Sequence, residues 1–290
     1  MAVSTCTFNT GVWESDWAVK LQERLDYPQN WKEICDVQYT NVRIFNNPYM
    51  STQATAASHT RGTAYTFQAY ALTDETRTIN QSRIVPQFID RADLAQTTYV
   101  KQMYLAETQA VLLNEYLETD MLANYGMMTS FDNTQIGGSA GNITVSESNV
   151  DNIIRAVKRE IREANGQSLA DRFGTFIVWR AADFEKLEAF VQANGFNVAD
   201  NALSNGTIAG FRYMGVDHYV SNLHTAGHLI AGVKKQMSLG ILKDTYGQVV
   251  INQDPADTTP LSGIGVVSRI DWEFAVWANT KPVLFDINVS

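Results

Sequence analysis

Two cysteines in 290 residues, Cys6 and Cys35, leave this chain without a disulfide framework, and neither sits in a CxxC pair. A reduced setting is the default expectation. No apolar run approaches the roughly 18 residues that a membrane helix needs. The opening Met-Ala-Val-Ser-Thr-Cys lacks both the basic start and the apolar core of a signal peptide. Positive charge is short as well. The 22 Lys and Arg against 31 Asp and Glu give a net charge of −9, which argues against a dedicated nucleic-acid binder with a basic face. No GxGxxG follows a strand and no GK[ST] occurs, so no phosphate cradle is visible. What is present is ordinary for a globular protein. The hydrophobic content is 45%, and the length allows one elaborated domain or two.

The informative stretch is 63–125. Thr63 to Ala71 alternates Tyr65, Phe67 and Ala69 against Thr66, Gln68 and Tyr70. The pattern predicts a turn near Asp74-Glu75 and a return through Arg77, Ile79, Gln81, Arg83 and Val85. Each arm would project roughly 30–40 Å at ~3.3 Å per residue. Neither face is apolar enough to own a core, and an isolated ribbon is marginal in water, so it is expected to lie on another copy. A long helix follows, with Asp93 as N-cap, Gln96 completing a capping box and Gly126 as the C′ glycine. Val100, Met103, Ala106, Ala110, Leu113, Leu117 and Met121 recur at three- and four-residue spacing, marking one buried stripe. From Leu94 to Tyr125 the helix would span close to 48 Å.

Ahead of the ribbon, Trp13, Trp17, Leu21 and Leu25 recur every four residues and predict a short amphipathic helix over 14–25. Docking of this arm on a neighbour is expected, with packing inside the same subunit as the alternative. Asn46-Asn47-Pro48 has turn chemistry. After the long helix comes a glycine-rich loop at 132–142, then β-α-β alternation. Helices are predicted over 151–164 (Ile153, Ile154, Val157 and Ile161 inward) and 181–193, and a short one near 234–239. Strands are predicted at 173–179, 210–221, 229–233, 265–279 and 282–289.

Two constellations could carry chemistry. Gly137-Gly138-Ser139-Ala140-Gly141 matches GxSxG, with Asp217 and His224 downstream in hydrolase order. That elbow needs an apolar strand before the serine and a helix after it, and neither flank fits. His218, His224 and His228 cluster, and His224 and His228 have metalloprotease spacing. Thr225 stands where that motif requires Glu, and Gly227 disfavours the helix. No catalytic residue, metal site or cofactor is expected, and the protein reads as a non-enzyme.

The order of elements resembles the major capsid proteins of tailed bacteriophages, the Hong Kong 97 type. The resemblance rests on the arm, the ribbon, the run Ile89-Asp90-Arg91-Ala92-Asp93-Leu94-Ala95-Gln96 into the long helix, and the α/β region. It also rests on Thr175-Phe176-Ile177-Val178-Trp179 and Ile208-Ala209-Gly210-Phe211 (axial-domain-like), and on Ile270-Asp271-Trp272-Glu273-Phe274-Ala275-Val276-Trp277 (peripheral-domain-like). It implies an α+β Hong Kong 97-like fold. The N-terminal arm would be 1–48 and the extended β-hairpin (E-loop) 49–90. The peripheral (P) domain with the spine helix would be 91–130 and 262–281, and the axial (A) domain 131–261 and 282–290.

The resemblance further implies self-assembly into pentamers and hexamers of an icosahedral shell around the double-stranded DNA of a tailed phage. Assembly would occur in the host cytoplasm, with no sequence-specific DNA binding and no membrane. Scaffolding, portal and cement or decoration proteins are the implied partners. Net charge −9 suits such a wall. The expected subunit interface comprises Trp13, Trp17 and Leu21 on the arm and Arg61, Phe67, Tyr70, Arg77 and Arg83 on or beside the ribbon. An encapsulin-type compartment is the first alternative, and a cytosolic serine hydrolase the second. The arm begins at residue 1, so no trimmed scaffolding segment is expected. The type member of the family cross-links an E-loop Lys to an Asn of a neighbour, but no Lys occurs here between Lys32 and Lys101, so a non-covalent shell is expected.

Overall fold

The computed structural model describes residues 10–25, 29–52, 58, 60–62, 64, 71–90, 99–193, 211–252 and 263–290. In chain order these form α1 (Thr10–Leu25), α2 (Asn30–Ile34), β1 (Asp36–Thr40), β2 (Ile44–Thr52), β3 (Ala71–Thr78), β4 (Gln81–Asp90) and α3 (Tyr99–Ala123). Next come β5 (Thr129–Phe131), α4 (Val150–Glu163), α5 (Gln167–Phe173), β6 (Thr175–Trp179), α6 (Ala181–Ala193), β7 (Phe211–Tyr213), β8 (Val216–Val220) and β9 (His228–Val233). The chain closes with β10 (Met237–Leu242), β11 (Gln248–Asn252), β12 (Gly263–Val276) and β13 (Leu284–Asn288).

The spine is α3. Its stripe of Ala106, Ala110, Leu113, Leu117 and Met121 is buried, as the spacing predicts. The described helix has 25 residues, or about 37 Å. The expected N-cap Asp93 and Gln96 lie outside the described residues. The C-terminal end differs from expectation. The helix tightens into a 3-10 turn over Asn124–Met127 that includes Gly126, which is not in a left-handed conformation, and Asn124 Nδ2 donates to the Asp120 carbonyl at 2.8 Å.

Two sheets flank the spine end. The first has five strands. β12 is antiparallel to β4 across 263–272 and to β10 and β11 in succession, and β1 extends β10 in parallel. Strand alternation splits the burial on β12. Val266, Ile270, Trp272, Phe274 and Val276 join the core under α1 and α3, whereas Ala275 and Trp277 join a smaller cluster with Phe45 and Ile79. Gly240 on β10 is required there: a Cβ would meet the Phe45 ring at 2.5 Å. The second sheet runs β5-β13-β9-β6-β8-β7. β6 is buried on both faces, Phe176 and Val178 toward the spine core and Ile177 and Trp179 toward the core beneath α4 and α6.

Several expectations need correction. A ribbon is present but not the expected one: it pairs β2 with β3, antiparallel, with Pro48 opposite Asp74 and Asn47 opposite Glu75, and most of the expected first arm over 63–71 lies outside the described residues. Asn46-Asn47-Pro48 and Asp74-Glu75 are therefore mid-strand, not turns. A two-stranded ribbon is all edge, so a proline there need forfeit no ladder bond. The chain instead breaks at Ile79-Asn80, where Ile79 is buried and its N–H donates to the Arg43 carbonyl at 2.8 Å. Residues 81–90 leave the ribbon for β12. The helix expected near 234–239 is the strand β10, and the strand expected over 210–221 is the hairpin β7–β8, turned at Met214 (φ 54) and Gly215 (φ 79). Strands β10 and β11, assigned by sequence to 131–261, pair with β12, so the sheet crosses that expected boundary.

Candidate assembly surface

The arm helix docks on its own chain. Trp17, Leu21 and Leu25 are fully buried between α1 and α3. Trp17 Nε1 donates to Gln109 Oε1 at 2.9 Å, and Gln109 Nε2 donates to the Val85 carbonyl at 3.1 Å. The Ser268 hydroxyl also donates to Gln109 Oε1. At the rim, Arg24 pairs with Glu107 at 2.7 Å. Trp17 and Leu21, expected at a subunit interface, are thus core residues of the subunit, because the apolar stripe of α1 is covered by the apolar stripe of α3 in the same chain. The side chain of Trp13 lies outside the described residues, as do Phe67 and Tyr70.

The ribbon has two unlike faces. Phe45, Asn47, Tyr49, Glu75 and Arg77 alternate onto the inner face. Phe45 packs on Trp277, Asn47 Nδ2 donates to Asn279 Oδ1 at 3.0 Å, and Glu75 Oε2 accepts from the Ala278 N–H at 3.1 Å. These contacts seat the ribbon root against the end of β12. On the outer face Ile44, Met50 and Leu72 are 54%, 49% and 67% exposed, beside an Asn46–Asp74 hydrogen bond of 3.0 Å. Apolar groups on a surface without a core of its own are what an intermolecular contact uses.

The three arginines are solvent-accessible. Arg61 is exposed in a turn with Gly62. Arg77 lies within electrostatic reach of Glu273, whose carboxyl is pushed up chiefly by burial and drawn down by the Asn80 N–H and Arg77. Arg83 sits over the Tyr116 ring at 5.3 Å and near Asp120, a carboxyl likewise raised by burial and lowered by Trp272 and Arg83. Arg77 on the ribbon and Arg83 on β4 therefore already face carboxylates of their own chain.

The chemical candidates are not brought together. Ser139 is exposed in a loop after the 3-10 turn Asn133–Ile136, with neither strand nor helix next to it. Asp217 is held by Lys234 at 2.8 Å and Arg212 at 3.6 Å. Both ring nitrogens of His224 are buried without a partner among the described residues, and burial and Arg180 lower its pKa to about 4. His218 Nδ1 accepts from Trp179 Nε1 at 2.9 Å while Nε2 faces the Tyr213 carbonyl at 3.3 Å, which fixes the neutral Nε2-protonated ring. Burial lowers its pKa to about 4. His228 pairs with Asp286 at 2.9 Å and stacks on Tyr125 at 3.6 Å. Each histidine holds a separate structural post, and no group of three metal-capable side chains occurs among the described residues.

No protein-family model and no curated protein matches the sequence. Solved structures do match by shape. The asymmetric unit of the bacteriophage PhiM1 mature capsid aligns at TM-score 0.60 and 12% identity, over 91% of this chain and 88% of that one. The capsid structure of cyanophage P-SCSP1u gives 0.55 and 12%, over 91% and 88%. A virus-like particle from Pyrococcus furiosus gives 0.58 and 9%, over 95% of this chain and 99% of that one. At these identities the likeness is one of architecture, and it spans nearly the whole chain: this protein has the mixed α and β fold of phage capsid proteins.

Proposed function

We propose that the chain is the major capsid protein of a tailed phage, closing into pentamers and hexamers of an icosahedral shell around double-stranded DNA. The observation that carries this reading is a capsid fold over about nine-tenths of the chain, combined with a ribbon whose outer apolar face is left exposed by the described residues of its own subunit. Lattice contacts between unlike patches are stable only when the lattice closes. In this reading the ribbon, Arg61, Arg77 and Arg83 overlap a neighbour, while 10–25 belongs to the subunit body. The peripheral domain joins the spine to the five-stranded sheet, and the axial domain is the six-stranded sheet with α4 to α6. Scaffolding, portal and cement proteins are the proposed partners, the virion is the proposed location, and no catalytic residue is assigned. Purified protein viewed by negative stain should show closed shells, and particles from infected or expressing cells should protect DNA from nuclease. The likeness to the Pyrococcus particle, which covers 95% of this chain, favours a second reading as a compartment that encloses protein. Shells containing a co-purifying protein and no nuclease-protected DNA would select it.

A further inference from the structure

Carboxylates outnumber cations over the whole chain, yet one cleft reverses the balance. It has a volume of about 590 Å³ and opens between α4, α5 and the strand edge where β6 and β8 begin. Lys158, Arg162, Arg172 and Arg212 line it against Asp171 and Asp217. The carboxylates are already engaged. Asp217 is held by Lys234 and Arg212, and Asp171 accepts from Gln167 Nε2 at 2.6 Å. The acids of α4 are engaged too, Asp151 by Arg155 and both Glu160 and Glu163 by Arg159.

Three cations are left over. Lys158 Nζ donates to the Met214 carbonyl at 2.6 Å, Arg162 Nε donates to Gln167 Oε1 at 3.0 Å, and Arg172 lies over the Phe173 ring at 5.0 Å. None of the three has a carboxylate partner among the described residues. The donors that hold them use up only part of their hydrogen-bonding capacity, since a guanidinium carries five N–H groups and an ammonium three.

We propose that this cleft takes the phosphate backbone of nucleic acid, without reading base sequence. The inference rests on the shell reading and locates where the enclosed DNA touches the subunit. Guanidinium forks match phosphate oxygens two at a time and give up water readily. Contacts of this kind position a duplex but carry no sequence information. At an ionic strength near 0.15 M the Debye length is about 8 Å, so the distant carboxylates behind the net charge of −9 are screened while cations in contact are not. A protein partner fits less well, because charged and polar groups dominate the lining and its one aromatic side chain, Phe173, is half-buried beneath Arg172.

The test uses the full-length protein and a fluorescent duplex of about 20 bp, with anisotropy read from about 50 to 200 mM KCl. Arg162→Glu/Arg172→Glu is compared with Lys243→Glu/Lys281→Glu, which makes the same change in net charge at exposed positions elsewhere. The wild-type log–log salt slope should be near −3, at about −0.9 per phosphate neutralised. The cleft variant should bind at least tenfold more weakly and lose about two units of slope, whereas the control stays within about threefold. Absence of wild-type binding, equal losses in both variants, or equally good competition by a polyglutamate peptide overturns the proposal. Negative stain of the same preparations separates the two readings. Shells with cleft-independent DNA binding sink the cleft alone, and a wild type that never forms shells sinks the shell reading.

Discussion

Gln109 is a buried side chain that links three elements around the spine. Its amide ties α1 through Trp17, β4 through the Val85 carbonyl and β12 through Ser268. Truncation would leave several buried polar groups unpaired, each costing about 1–3 kcal/mol. Gln109→Ala should therefore lower stability by roughly 3 kcal/mol or more, seen as a fall in the urea midpoint at unchanged slope. A loss below about 1 kcal/mol would contradict the role given to this residue. His218 makes a second prediction at this scale. Its ring must stay neutral to accept from Trp179, and its folded pKa of about 4 lies below the ordinary 6.5. The unfolded chain thus binds the proton first. The stability this ring contributes is present above pH 6.5 and is lost as pH falls from 6.5 toward 4, by about 3 kcal/mol at the lower end. His224 acts in the same direction, whereas the raised carboxyls of Asp120, Glu273 and Asp286 oppose it by favouring the folded state in acid. His218→Asn retains an acceptor but no titration, so its melting temperature should fall less than that of the wild type between pH 6.5 and 4. Parallel curves would refute the assignment.

The ribbon is the element whose removal separates folding from assembly. Replacing residues 49–73 with Asn-Gly keeps the inner-face anchors Phe45, Asn47 and Glu75 and the buried Ile79 in place. The variant should melt as cooperatively as the wild type yet form no shells. Unfolding of the sheets, or normal shells, would exclude the arm reading. The ribbon also carries no lysine, because none lies between Lys32 and Lys101, and guanidinium is too strongly protonated to act as a nucleophile. Cys35 is buried, and burial raises its thiol pKa, so it is poorly placed to form a disulfide. Particles boiled in detergent without reductant should run as one band near 32.3 kDa, and a ladder of multimers would disprove the non-covalent account.

Elements with a strong period were legible in the sequence. The spine stripe and the inward face of α4 follow from 3.6-residue spacing, and α6 has the predicted bounds of Ala181–Ala193. Pairing was not legible. The alternation running through 63–85 looks the same whether 71–78 meets 81–90 or 44–52, and only the buried Ile79 forces the chain to part there. The assignment of Trp17 to a neighbour failed for a related reason: amphipathic spacing shows that a face must be covered but not by which chain. Gln109 carried a faint signal, a polar residue set between Ala106 and Ala110 on the buried stripe. The cationic cleft gave none, because Lys158, Arg162, Arg172 and Arg212 lie on three elements that converge only in the fold.

For the whole molecule, two cores, one under α1 and α3 and one beneath α4 and α6, are joined by strands such as β6 that feed side chains to both. Among the described residues, the ribbon presents an exposed apolar face of Ile44, Met50 and Leu72. Exposed pairs such as those open to Arg61, Arg77 and Arg83 contribute only about 0–1 kcal/mol each, but a closed lattice repeats them at every subunit. Charge reversal at all three should block assembly at moderate salt while leaving the subunit folded, and an unchanged particle yield would count against an ionic share in the contact. The central claim is self-assembly, and its most direct test is electron microscopy of the purified wild-type protein with image averaging. The account predicts closed icosahedral shells built of pentamers and hexamers. A field of monomers or small open oligomers across the protein and salt concentrations that keep the chain folded would contradict it.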